Sequence, residues 1–185
     1  MKIAPTAQFS KHHTFIMFAV THTASALLIA EKISNPWWIF IIGIISHYFL
    51  DLIPHGDRLI EKGLDGNGEI KKRVIKRLTY VTIVDLIITA ILVIYFFTTS
   101  KIINPYNTAL AIFAVLLPDA LMGLGKMTHI FNFLNPKNFF VKLNLKLYRL
   151  HYLIHEFIPG EMPIWQGLVL QIFITALFLY FSNFF

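Results

Sequence analysis

Histidine and aspartate recur at helical spacing in a chain that otherwise offers few polar groups. His47 and Asp51 stand four residues apart in the string Ser-His-Tyr-Phe-Leu-Asp-Leu-Ile-Pro-His-Gly-Asp, which runs on to His55 and Asp57. His151 and His155 repeat the spacing in Leu-His-Tyr-Leu-Ile-His-Glu. Residues i and i+4 share a helix face, so each pair can offer two donors to one ligand. Neutral imidazole with carboxylate suits a divalent metal, zinc first, with manganese or iron as alternatives. His22, Asp85 and Asp119 stand singly within apolar runs. An ionisable group there costs roughly 2.5–3.5 kcal/mol on insertion scales and marks function by default. A bound cation would offset that cost for the carboxylates. The expected metal ligands are therefore His22, His47, Asp51, His55, Asp119, His151 and His155. Asp85 is expected to act in catalysis, as a general base, or else to ligate the metal or orient a histidine.

These residues need a scaffold, and composition names its solvent. The chain has 185 residues, 56% hydrophobic and 14% charged. Soluble domains carry roughly 25% charged residues, too many for this chain to match. Intrinsic disorder is excluded by the same apolar excess. The absence of Cys removes disulfide frameworks, thiolate metal sites and Cys nucleophiles together. An all-α integral membrane bundle remains, one domain over residues 1–185.

Five apolar runs approach the ~20 residues that cross ~30 Å of hydrocarbon. They are Phe15–Ala30, Pro36–Ile53, Leu78–Phe97, Pro105–Leu124 (interrupted at Pro118) and Pro163–Phe181. Five crossings divide the connecting segments between two sides. Lys2 and Lys11, seven basic residues from Arg58 to Arg77, and five from Lys126 to Arg149 fall on one side. Only Lys32 and Lys101 fall on the other. The positive-inside rule makes the first side cytoplasmic, with the N-terminus inside and the C-terminus outside a cell membrane. The basic excess then answers to topology and lipid headgroups, not to nucleic acid.

Depth gives the polar residues a common address. At ~1.5 Å per residue, Asp85 and Asp119 lie roughly 10–12 Å from the basic flank, and His47, Asp51, His151 and His155 lie nearer to it. All belong to the cytoplasmic half. A sixth helix is expected over about Lys137–Ile158. Lys142, Lys146 and Arg149 fall on one stripe there, and His151 and His155 on the opposite one. Such a helix lies along the membrane surface with its lysines toward water.

The strings Thr-His-Thr-Ala-Ser-Ala-Leu-Leu-Ile-Ala-Glu, from Thr21, and Ser-His-Tyr-Phe-Leu-Asp-Leu-Ile-Pro-His-Gly-Asp, from Ser46, carry a further likeness. They resemble small multi-pass membrane-bound metal-dependent hydrolases, distant relatives of the zinc-dependent phospholipase C and nuclease fold. The resemblance covers mainly Thr21 to Asp57, and more loosely Leu117–Gly123 and the C-terminal histidines. It implies an all-helical fold whose His and Asp residues hold two or three metal ions. His22, His47 and Asp51 match that pattern best. The Gly-His-Arg-Gly-x-Thr-His string of some members is absent from this sequence.

Together these readings lead to a membrane-embedded hydrolase of an ester or phosphoester. Its partners are the bilayer and a lipid or lipid-linked substrate. Two other classes fit the same residues: a proton or metal transporter, and a non-catalytic scaffold held by a polar cluster. One-sided clustering and the lack of a repeat weigh against the transporter.

Overall fold

A computed structural model of the chain describes residues 18–53, 72–99, 102, 104–131, 142–143, 146–147 and 163–182. All regular structure among them is helical: α1 (Ala19–Lys32), α2 (Pro36–Asp51), α3 (Lys72–Thr98), α4 (Pro105–Phe131) and α5 (Ile164–Phe181). The all-α expectation holds at that level. His55 and the 151–155 pair lie outside the described residues, as does most of the expected amphipathic helix. Within it, Lys142, Leu143, Lys146 and Leu147 are helical, and both lysines are exposed.

The helix starts follow from local chemistry. Asn35 caps α2, its side-chain oxygen accepting from the amides of Trp37 (2.9 Å) and Trp38 (3.4 Å), with Pro36 at the first turn. Asn104 caps α4 by accepting from the Asn107 amide at 3.1 Å. α1 begins differently. Phe18 is extended and offers no side-chain cap. The first amides instead find partners on distant helices: Ala19 and Val20 donate to Asp85 (2.7 and 3.2 Å), and Phe18 donates to Gln171 Oε1 at 2.7 Å. The helix therefore opens at Ala19, not within the apolar run that starts at Phe15.

α1 is the centre of the assembly and touches all four other helices. Thr21 to Leu27 are buried without a break, so this helix has no solvent or lipid face over two turns. Its partners fix the directions. His22 meets Asp51 and Ser25 meets Ser46, so α1 and α2 are antiparallel. Phe18 meets Gln171, Thr21 meets Thr175, and Leu27 packs with Leu92, Phe96 and Leu179, so α3 and α5 run with α1. α4 runs with α2, since Ile39 packs with Ala111 and His47 reaches Val115. Consecutive helices thus alternate in direction.

α2 and α4 approach closely at Gly43. A Cβ there would lie 2.7 Å from the Ala114 Cβ, inside any real contact distance. Pro118 does not end α4, which runs through it to Phe131. It does remove one amide donor from the turn that contains Ala114 and Val115.

Burial is inverted relative to a soluble core. The buried set is rich in Thr, Ser, His, Asp, Asn and Gln, while Ile, Leu, Phe, Tyr and Trp crowd the exposed set. Most large apolar residues of α3 from Tyr80 to Phe97 are exposed, Phe96 being the buried exception. Among the described residues, one segment, Thr79–Thr98, is long and apolar enough to cross a membrane; α2, α4 and α5 contribute shorter apolar helices.

Candidate metal centre

His22, His47 and Asp51 converge. His22 comes from the second turn's start of the central helix, His47 and Asp51 from the last turns of α2. The antiparallel crossing brings these two helix ends to one level. His22 Nε2 lies 3.3 Å from Asp51 Oδ1, and His47 Nε2 lies 2.9 Å from Asp51 Oδ2. The imidazoles stack with centroids 4.4 Å apart and planes inclined by 20°. Both histidine side chains are wholly buried and the Asp51 side chain nearly so.

A backbone contact orients His47. Its Nδ1 lies 2.7 Å from the Val115 carbonyl of α4. A carbonyl oxygen only accepts, so Nδ1 carries the proton and donates it. A neutral ring then turns its Nε2 lone pair toward Asp51. Metal-ligating histidines are commonly held by this kind of N–H to carbonyl bond. Sequence reasoning had no access to it, because the partner is backbone. The Gly43–Ala114 approach, one turn away on α2, allows it.

The donors also suit a cation. Two lone pairs facing at 2.9 Å repel unless positive charge stands between them or on the ring. His22 Nδ1 and Nε2 make no hydrogen bond among the described residues, although both are buried. Buried polar atoms are nearly always satisfied, so such a ring calls for an explanation. A tetrahedral ion with ~2.0–2.2 Å bonds holds its donor atoms about 3.3–3.6 Å apart. The His22–Asp51 separation of 3.3 Å meets the lower edge of that range and the His47–Asp51 separation of 2.9 Å is shorter, and one ligand atom from each of the three residues lies within 4.8 Å of the others. The group can hold a metal ion.

Asp119 borders this group. Its Oδ1 lies 3.8 Å from His47 Nε2, and its side chain is 39% exposed where the other members are closed off. Asp85 stands elsewhere. Both its carboxylate oxygens are used at the start of α1, three residues before His22. Four of the residues predicted from sequence, His22, His47, Asp51 and Asp119, therefore meet, and Asp85 anchors the helix that brings His22 to them. Gln171 was overlooked, although an amide in an apolar run carries the same signal as Asp85. Comparison with known proteins gave no match to a family model, a curated protein or a solved structure.

Proposed function

We propose that this chain is a multi-pass membrane protein that hydrolyses an ester or phosphoester with a zinc ion held near the cytoplasmic face. The carrying observation is the buried His22–His47–Asp51 group, with the more open Asp119 beside it. The expectation of relationship to membrane-bound metal-dependent hydrolases points the same way. Two nitrogen and two oxygen donors suit zinc, and the absence of thiolates leaves manganese or iron as the competing ions.

When bound, the ion supplies Lewis acidity toward a scissile carbonyl or phosphoryl oxygen and lowers the pKa of water. The chain's own residues do the rest. Val115 fixes the His47 ring through Nδ1, leaving Nε2 as the donor. Asp51 faces both imidazoles and so ties α1 to α2. Asp119 marks the accessible side, where a substrate would arrive. Asp85 holds α1 and acts through His22, as a positioning residue.

Membrane insertion at five crossings is supported by three features: the inverted burial pattern, the alternating helix directions, and the distribution of basic residues. α1 and α2, at 14 and 16 residues, reach only about 21 and 24 Å. α1 is shielded by its neighbours, so its length need not match the hydrocarbon thickness. The multi-pass reading places the N-terminus and the His/Asp group at the cytoplasmic side and the C-terminus outside. A lipid or lipid-linked substrate could then reach Asp119 from the bilayer.

The test is hydrolysis. Protein purified from membranes in detergent and supplied with zinc should cleave at least one member of an ester and phosphoester lipid panel. The activity should disappear on chelation, return with added metal, and be absent from His47→Ala. A cluster that binds metal but cleaves nothing across the panel would favour the scaffold reading instead.

A further inference from the structure

Two sides of the bundle can be compared level by level along α1. On one side, Asp85 of α3 meets Ala19 and Gln171 of α5 meets Phe18. α3 and α5 run with α1, so Ile88 stands level with His22 and Ile91 level with Ser25. On the other side, Asp51 of α2 meets His22 and Ser46 meets Ser25. Phe49 therefore lies between the levels of Ile88 and Ile91, across the bundle from them. All three are exposed.

The apolar surface ends at different heights on the two sides. Toward the proposed cytoplasmic side, the apolar span of α3 continues from Ile88 to Thr79, and exposed Tyr80 stands ~12 Å inward of Ile88. On α5, exposed Trp165 precedes Gln171 and stands ~15 Å inward of the His22 level. Exposed Tyr and Trp mark the edge of the hydrocarbon. On α2 the exposed stripe of Ile41, Ile45 and Phe49 stops at Phe49, and the apolar segments of α2 and α4 end at Asp51 and Leu121. The outer ends are displaced in the same sense. Tyr180 of α5 adjoins Leu179, which packs with Leu27. Exposed Trp37, Trp38 and Tyr106 instead gather near Ser34, whose carbonyl accepts from Asn107. Ser34 lies ~10 Å beyond Leu27 along the chain. The apolar girdle is thus shifted outward by about 10 Å on the side of α2 and α4. Over two interaxial spacings of ~8–10 Å, that shift is a lean of roughly 30°, within the tilts of membrane helices.

We propose that the bundle leans in the bilayer so that the inner hydrocarbon edge runs along the inward ends of α2 and α4. An inner-leaflet phospholipid then lies with its glycerol ester and phosphate linkages against Phe49 and the partly exposed Asp119. The bond presented to the metal group is a glycerol ester or phosphodiester of a bilayer phospholipid, reached without extracting the lipid. On the side of α3 and α5 the same level is covered by hydrocarbon, so the linkage approaches from α2 and α4 only. The lipid's position rests on the multi-pass reading, and its role as substrate on the hydrolase reading.

The test uses the full chain in phosphatidylcholine nanodiscs with phosphatidylethanolamine probes that carry a diazirine either on the headgroup or at an acyl terminus. The headgroup probe should label Phe49 and exposed Ala120 several-fold more than Ile88 and Ile91, and the acyl-terminal probe should reverse that order. Phe49→Arg should leave nanodisc incorporation unchanged, because a charge at the edge reaches water, while Ile88→Arg should lower it several-fold. Equal labelling of Phe49 and Ile88 by each probe, with both Arg variants impaired alike, describes an upright bundle and overturns the inference while leaving the multi-pass reading intact. Recovery of the chain in the soluble fraction, with no nanodisc incorporation, overturns both. With zinc, the nanodisc phospholipid should release fatty acid or headgroup; cleavage confined to water-soluble esters overturns the phospholipid as substrate.

Discussion

At the scale of single residues, the account distinguishes donors that look alike in sequence. Asp51 faces both buried histidines, whereas Asp119 meets the group at His47, at 3.8 Å. Asp51→Ala and His47→Ala should each weaken metal binding by more than ~100-fold, beyond the ~10–100-fold typical of losing an outer partner. Asp119→Ala should weaken it less and leave a measurable site. Titration of the apo-protein with zinc against a competing chelator orders the three variants, and equal effects would contradict the arrangement. Much of this group was legible beforehand. The i,i+4 spacing of His47 and Asp51 gave one face, and the apolar surroundings of His22 gave its depth. The role of Asp85 was not legible. Capping across 66 positions depends on how α3 packs against α1, which no local pattern encodes.

At the scale of helices, two contacts set the site's geometry, and each has a measurable cost. Asp85 serves α1 as its N-terminal cap, and caps are worth ~0.5–2 kcal/mol. Asp85→Ala should lower thermal stability by that order and weaken zinc binding with it, since His22 lies three residues into the helix from Ala19. Asp85→Asn keeps one acceptor oxygen and should lose less on both measures. The second contact is Gly43 against Ala114. Gly43→Ala introduces a Cβ 2.7 Å from another that cannot swing aside, so α2 and α4 must separate. Overpacking of this kind costs ~1–3 kcal/mol, and it should also pull His47 from the Val115 carbonyl. Adding Ala114→Gly should recover most of the stability, which a double-mutant cycle by thermal denaturation in detergent reads directly. Helix identity was readable from apolar runs, and the Asn35 and Pro36 start of α2 from turn chemistry. The onset of α1 at Ala19 was not, because its cap is borrowed from another helix. Nor was the passage of α4 through Pro118, where packing against α1 and α2 holds the helix despite the missing amide.

At the scale of the whole molecule, polar groups line the inside of the bundle and large apolar side chains cover the outside. Water rewards the opposite distribution, and hydrocarbon tolerates this one. Under the proposed five crossings, fourteen of sixteen basic residues fall on one side. A reporter fused after Phe185 should therefore behave as extracytoplasmic, and one fused in the Arg58–Lys71 segment as cytoplasmic; the same side for both would reject an odd number of crossings between them. The zinc reading makes the most direct demand. Protein purified from membranes without chelators should contain close to one equivalent of a transition metal by inductively coupled plasma mass spectrometry, and Asp51→Ala purified in parallel should contain almost none. Wild-type protein without stoichiometric metal, or an Asp51→Ala variant that keeps it, would contradict the proposal that His22, His47 and Asp51 form a metal site.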